Sequence, residues 1–192
     1  MNQSILQTLQ ASIAVKQAII ENKELVDRIT AAIESVTSCF RAGNRLWFCG
    51  NGGSAADAQH LAAEFSGRFY YDRPPLPAEA LHVNTSYLTA VANDYSYDAV
   101  YARLVQGFAQ QGDVLIGLST SGNSPNIVQA FETARNMKVA TIGFTGAGGG
   151  AMKTLSDILI NVPSTDTPRI QESHITIGHI ICEAVESAIF PR

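Results

Sequence analysis

From residue 46 onward, short apolar runs alternate with helical patterns, and this alternation constrains the fold more than any other feature of the chain. The runs cover 46–49, 78–83, 114–118, 139–144 and 158–162. Each is long enough for a buried strand and too short for an ordinary helix. Helical patterns lie between them at 55–66, at 86–109 with a break near Asp94, and at 125–137. Strands alternating with helices form a parallel sheet covered on both faces, joined by right-handed crossovers. The expected architecture is a three-layer αβα sandwich with a five-stranded parallel sheet. Residues 73–77, Arg-Pro-Pro-Leu-Pro, read as a stiff surface linker within it. The glycine run at 146–150 reads as a flexible turn.

Two helices precede the first strand. One covers residues 2–21, with Ile5, Leu9, Ile13 and Ile20 near one face; the next carries Leu25, Ile29, Ile33, Val36 and Phe40 and ends at Gly43. Their stripes must be buried on the α/β body or on another copy of the chain. A last helix, 170–189, is apolar on more than one face, a pattern of buried helices. Burial between subunits is the expected solution. The 192 residues suffice for one domain, with 1–43 as leading helices and 44–192 as the body.

Chemistry is expected first at the turn after residue 49. Gly50, Gly52 and Gly53 allow a tight turn and close approach to a ligand, and Ser54 is a fitting N-cap for the helix behind it. A glycine turn opening onto a helix N-terminus suits an anion. On that helix His60 and Glu64, at i and i+4, share a face. The plainer reading of that pair is a solvated helix face. A second loop, Ser119-Thr120-Ser121-Gly122-Asn123-Ser124, follows another strand, and Pro125 opens the next helix. Alone it is a polar loop with a serine cap. Two such loops after two parallel strands mark a ligand site, because open α/β sheets bind ligands at the carboxyl ends of their strands. His179 stands on the apolar last helix and, if buried, needs a partner. His174 reads as structural, its place near the helix start leaving simple exposure as the plain alternative, and His82 as incidental.

Competing motifs fit less well. Gly50 to Ala55 matches G-x-G-x-x-A, yet the acid that a dinucleotide would need is Glu79, which begins a strand instead of ending it. No Walker-type GK[ST] occurs. Charged residues make up 16% and the net charge is −4, which gives no nucleic-acid footprint. Cys39, Cys49 and Cys182 lie in apolar surroundings with no metal or redox spacing, as expected of free thiols in a cytoplasmic protein. No secretory signal or membrane-spanning run is present in the sequence.

Taken in order, Cys49 to Ser54, His60-x3-Glu64, Ala92-Asn93-Asp94, Ser119 to Ser124, and Arg169-Ile170-Gln171-Glu172 with His179 resemble the sugar isomerase (SIS) domain family over nearly the whole chain. The resemblance implies flavodoxin-like winding of the sheet. It implies a ketose–aldose isomerase acting on a seven-carbon sugar phosphate and feeding bacterial heptose synthesis for surface glycans. It implies a homotetramer with active sites at subunit interfaces. Glu64 and His179 would be the acid/base pair. Asn51, Gly52, Gly53, Glu64, Asn93, Asp94, Ser119, Thr120, Ser121, Ser124 and Gln171 would contact substrate. His60, Glu64, Gln171 and His179 would hold one zinc ion per subunit. The rival within the family is a binding protein that associates with the replication initiator; it lacks the acid at position 64 and the histidine at position 179, both present here. Eight positions separate Gln171 from His179, about 12 Å of rise in a straight helix. The two ligands of one ion should therefore come from different subunits, unless Gln171 lies on a loop before the helix.

Overall fold

Side chains along each apolar run alternate between two cores, as strand geometry requires. In the computed structural model, which describes residues 2–192, strand β1 (Leu46–Gly50) sends Leu46 and Phe48 to one face and Trp47 and Cys49 to the other. Strand β3 (Val114–Leu118) likewise splits Val114, Ile116 and Leu118 from Leu115. Both strands are buried throughout, which explains runs with no polar alternation. Strands β2 (Ala78–Ala80), β4 (Ala140–Thr145) and β5 (Ile158–Asn161) complete a parallel sheet in the order β2-β1-β3-β4-β5. This is flavodoxin-like winding, whose switch point lies between β1 and β3. The two candidate ligand loops leave these two neighbouring strands.

Helices α1 (Asn2–Glu21) and α2 (Lys23–Arg41) lead the chain, and α3 (Gly53–Ser66) follows β1. Helices α4 (Thr85–Asp94) and α5 (Val100–Phe108) are separated by a short turn of 3₁₀ helix at Tyr97–Ala99, so the expected break after Asp94 is present. Helix α6 (Pro125–Asn136) follows β3, and α8 (Thr167–Ile189) closes the chain. Among the described residues, no helix is long and apolar enough to cross a membrane. All three cysteines are buried and unpaired.

Several expectations need correction. A short helix, α7 (Met152–Leu155), had no visible periodicity. Helix α3 begins at Gly53 with Gly52 as its cap, because Gly52 at φ 56° turns the chain two residues earlier than a serine cap would. Ser54 lies buried inside the first turn, its amide donating to Asn51 O at 3.0 Å. Helix α8 starts at Thr167, so Gln171 is on the helix and not on a loop before it. Its burial comes largely from its own chain, since α1, α2 and α3 pack against it. His174 is fully buried, not exposed; its Nε2 pairs with Thr145 O at 3.1 Å, and burial lowers its pKa to about 4. The glycine run is pinned: Gly146 N donates to Thr120 O, and Ala147 N to Ser164 O.

The 73–77 linker is likewise anchored. The Arg73 and Glu186 side chains are 2% and 1% exposed and pair at 2.9 Å. By contrast α1 keeps a bare stripe: Ile5, Leu9, Ile13 and Ile20 are all more than half exposed. Polar contacts tether this helix to α8, from Arg169 to Thr8 O and from Ser12 to Glu172.

Candidate active site

Glycine sets how closely the elements of the site approach. A Cβ on Gly50 would meet Ser54 O at 2.4 Å, so the start of α3 folds back directly over the end of β1. At Gly53 the same space is taken by Gln171, with Nε2 at 2.6 Å from an added Cβ. The first turn of α8 thus delivers Gln171 onto the glycine turn. Two turns along α8, Gly178 permits contact with α3, because a Cβ there would lie 2.6 Å from Leu61 Cδ1. The next residue, His179, is thereby seated against His60. Gly178→Ala is expected to destabilise the fold by about 1–3 kcal/mol in denaturant unfolding, since Leu61 is 2% exposed and has nowhere to move.

His60 Nε2 lies 3.1 Å from Glu64 Oε1 and 3.1 Å from His179 Nε2. The rings of His60 and His179 are 5.0 Å apart, and Phe69 flanks His179 at 5.6 Å. Three electron-pair donors converge here, their ligand atoms all within 4.8 Å of one another. A single ring proton can satisfy only one of the two contacts at His60 Nε2. A cation in their midst would satisfy all three. Ligands at the 2.0–2.1 Å typical of tetrahedral zinc stand about 3.3 Å from each other, near the two 3.1 Å spacings at His60 Nε2. Two nitrogens and one oxygen, with a position left open, form a donor set of the catalytic kind. Burial lowers the pKa of His179, with His60 acting in the same direction and Glu64 opposing. Its imidazole is therefore neutral at pH 7 and able to accept a proton or bind a metal. One turn before His60, Asp57 has a buried oxygen, Oδ2, without a hydrogen-bond partner, and burial raises its pKa.

The hydroxyl loop forms a connected set. Ser119 Oγ is 2.9 Å from Ser124 Oγ and 3.5 Å from Ser121 Oγ. Gly122, at φ 68°, packs so tightly on Gly149 that a Cβ would lie 2.1 Å from its carbonyl oxygen. Thr120 and Ser121 open onto a cavity of 260 Å³ closed by Gly146, Ser164 and Thr167. A larger cavity of 450 Å³, lined by Trp47, Leu104 and Phe108 beside β2, holds none of the candidate residues. Its lining is mainly apolar, and the chemistry lies elsewhere.

The structure brings together His60, Glu64 and His179; Gln171 with Gly53; and Ser119, Ser121 and Ser124. Asn93 and Asp94, exposed in the last turn of α4, bond to each other at 2.9 Å. Among the described residues, neither side chain bonds to another candidate, but Tyr97, three residues beyond Asp94, reaches the glycine turn, its hydroxyl donating to Asn51 Oδ1 at 3.1 Å. Two residues were missed in the sequence, Asn126 and Tyr101. Asn126 is 1% exposed and exchanges two amide hydrogen bonds with Asn51, each 2.9 Å. The legible signal was a polar residue at i−4 and i−8 to the buried Ala130 and Ala134 of α6. Tyr101, fully buried, donates to Gly50 O.

Residues 9–146 match the SIS domain family. Over 190 residues the chain is 51% identical to a phosphoheptose isomerase of Aneurinibacillus thermoaerophilus, spanning 99% of this chain and 96% of that protein. It is 53% identical over 182 residues to a phosphoheptose isomerase of Mycobacterium bovis, spanning 94% and 93%. Among solved structures, a phosphoheptose isomerase from Neisseria gonorrhoeae superposes with a TM-score of 0.91 at 39% identity, covering 97% of this chain and 98% of that one.

Proposed function

This chain belongs to the SIS domain family, and from that premise we propose that it interconverts sedoheptulose 7-phosphate and D-glycero-D-manno-heptose 7-phosphate. The carrying observation is the convergence of Glu64, His60 and His179 between α3 and α8, in a chain whose β1 and β3 both end in loops suited to a phosphorylated polyol. Its relatives at about half identity are isomerases by name, which supports catalysis over the non-catalytic binding role.

Moving a carbonyl from C2 to C1 requires removal of a proton from C1 and return of one to C2. Glu64 takes the first: Oε1 faces His60, which leaves Oε2 for the substrate. His179, neutral at pH 7, carries protons to and from the substrate oxygens. The glycine turn and the hydroxyl loop, Ser119 to Ser121 with Ser124, orient the chain and its phosphate through N–H and O–H donors.

The donor set fits zinc, held by His60, Glu64 and His179. When bound, zinc supplies Lewis-acid polarisation of the carbonyl. Gln171 is placed against Gly53 in its own chain, about 12 Å of helix rise from His179. We therefore assign the fourth ligand position to Gln171 of a neighbouring copy. The bare stripe on α1 supports assembly, which we take to be a homotetramer. Free buried thiols fit a reducing cytoplasm, and the product suits heptose supply for lipopolysaccharide or other surface glycans.

Turnover of sedoheptulose 7-phosphate by the purified protein tests the activity. Chelation tests the shared ligand. Metal-free protein is expected to lose activity and to sediment as smaller species, with both restored by zinc. Undiminished assembly and turnover after complete metal removal would contradict this assignment.

A further inference from the structure

We infer that Asn126 is a positioning residue for substrate binding, acting through Asn51, which it locks into a hub joining the loops of the site. This rests on the isomerase reading above. Asn51 sits at the glycine turn, and its side chain meets Asn126 in a reciprocal amide pair: Asn51 Nδ2 donates to Asn126 Oδ1, and Asn126 Nδ2 to Asn51 Oδ1, each at 2.9 Å. Tyr97, three residues beyond Asp94, adds its hydroxyl to the same Asn51 Oδ1 at 3.1 Å. Segments 50–53, 93–97 and 119–126 are thus connected at one amide. Each of the three carries candidate substrate contacts.

The inventory of this amide limits what Asn51 can do. A side-chain carbonyl oxygen has two lone pairs, and an amide nitrogen has two hydrogens. Oδ1 already accepts twice and Nδ2 already donates once. One N–H remains. Asn51 can donate to a substrate oxygen and cannot accept from a substrate hydroxyl. The pair also couples the two amides, because turning Asn51 alone would oppose donor to donor across Asn126. Asn126 itself, 1% exposed at the second position of α6, has no room to turn aside. The glycine turn and the hydroxyl loop are therefore held as one preformed surface, which lowers the ordering cost of binding.

The test is steady-state kinetics of wild type, Asn126→Ala, Asn51→Ala and the double variant, with melting temperatures. Absence of turnover in the wild type would defeat the isomerase reading and not this inference. Given turnover, Asn126→Ala should raise KM about tenfold, the scale of one buried amide left unsatisfied, with kcat changed far less. The double variant should show the KM of Asn51→Ala alone, because Asn126 acts through that residue. An unchanged KM in Asn126→Ala, or KM factors that multiply in the double variant, would overturn it. Should Asn126→Ala fail to fold, Tyr97→Phe replaces it. That half-exposed residue loses only its hydroxyl, and a smaller KM rise, absent in the Asn51→Ala background, is expected. A KM equal to wild type in folded Tyr97→Phe would then refute the hub.

Discussion

Glu64→Gln is expected to lower kcat by roughly 10²–10⁴-fold, the range a positioned general base contributes, while leaving the melting temperature nearly unchanged. The substitution keeps the shape of the side chain and an oxygen for His60, now 3.1 Å from Glu64 Oε1. It removes the carboxylate assigned to take the carbon-bound proton. Glu64 is also a candidate metal ligand, so the measurement belongs at saturating zinc. If Glu64 served only the metal, excess zinc would restore activity. If it is the base, the deficit persists at saturation. A kcat within a few-fold of wild type would remove Glu64 from the acid/base pair.

Glu186→Ala should be the most destabilising single change. The Glu186 carboxylate is 1% exposed and accepts from Phe69 N at 2.9 Å, Tyr70 N at 2.8 Å and Arg73 Nε at 2.9 Å. Arg73, 2% exposed, also donates to Phe65 O and Glu64 O at the end of α3. Removing the carboxylate strands a buried guanidinium, which typically costs about 3–5 kcal/mol. For a chain of this size that is a melting decrease of roughly 6–20 °C. The knot joins α8, which carries His179, to the end of α3, which carries Glu64, so activity should fall with stability. Burial pushes the Glu186 carboxyl up, but the two amides and Arg73 more than offset this, leaving it below the usual carboxylate range. Its contribution is full above the unfolded value near 4.3 and is lost as pH falls through the lower folded value. A melting shift under 2 °C in Glu186→Ala would contradict this account.

What could be read from the sequence was what depends on local periodicity and on steric need. The strand runs were legible because burial on both faces demands continuous apolar residues, as in Val114 to Leu118. The glycine turn was legible because only glycine tolerates Ser54 O, Gln171 and a positive φ at Gly50, Gly53 and Gly52 respectively. His60 and Glu64 were legible as a pair because four residues bring them to one helix face. The Arg73–Glu186 knot and the Asn51–Asn126 pair were not. Their partners are 113 and 75 residues apart, and periodicity reports which face is buried, not which polar atom meets which. His174 illustrates the same limit: its partner, Thr145 O, is a backbone atom whose position exists only once β4 is in the sheet. Resemblance to a family supplied the roles of Asn93, Asp94 and Gln171, for which local pattern offered nothing.

The central claim is proton transfer by Glu64 through an enediol, and isomerisation in deuterium oxide tests it most directly. Glu64 is one-quarter exposed, so a proton taken from C1 can exchange with solvent before reprotonation. The wild type should return aldose carrying deuterium at C2 and unreacted ketose carrying deuterium at C1, while Glu64→Gln should label neither. Product free of solvent deuterium at C2, formed by the wild type and formed as fast by Glu64→Gln, would mean direct hydride transfer between carbons, and the assignment of Glu64 as the base would be wrong.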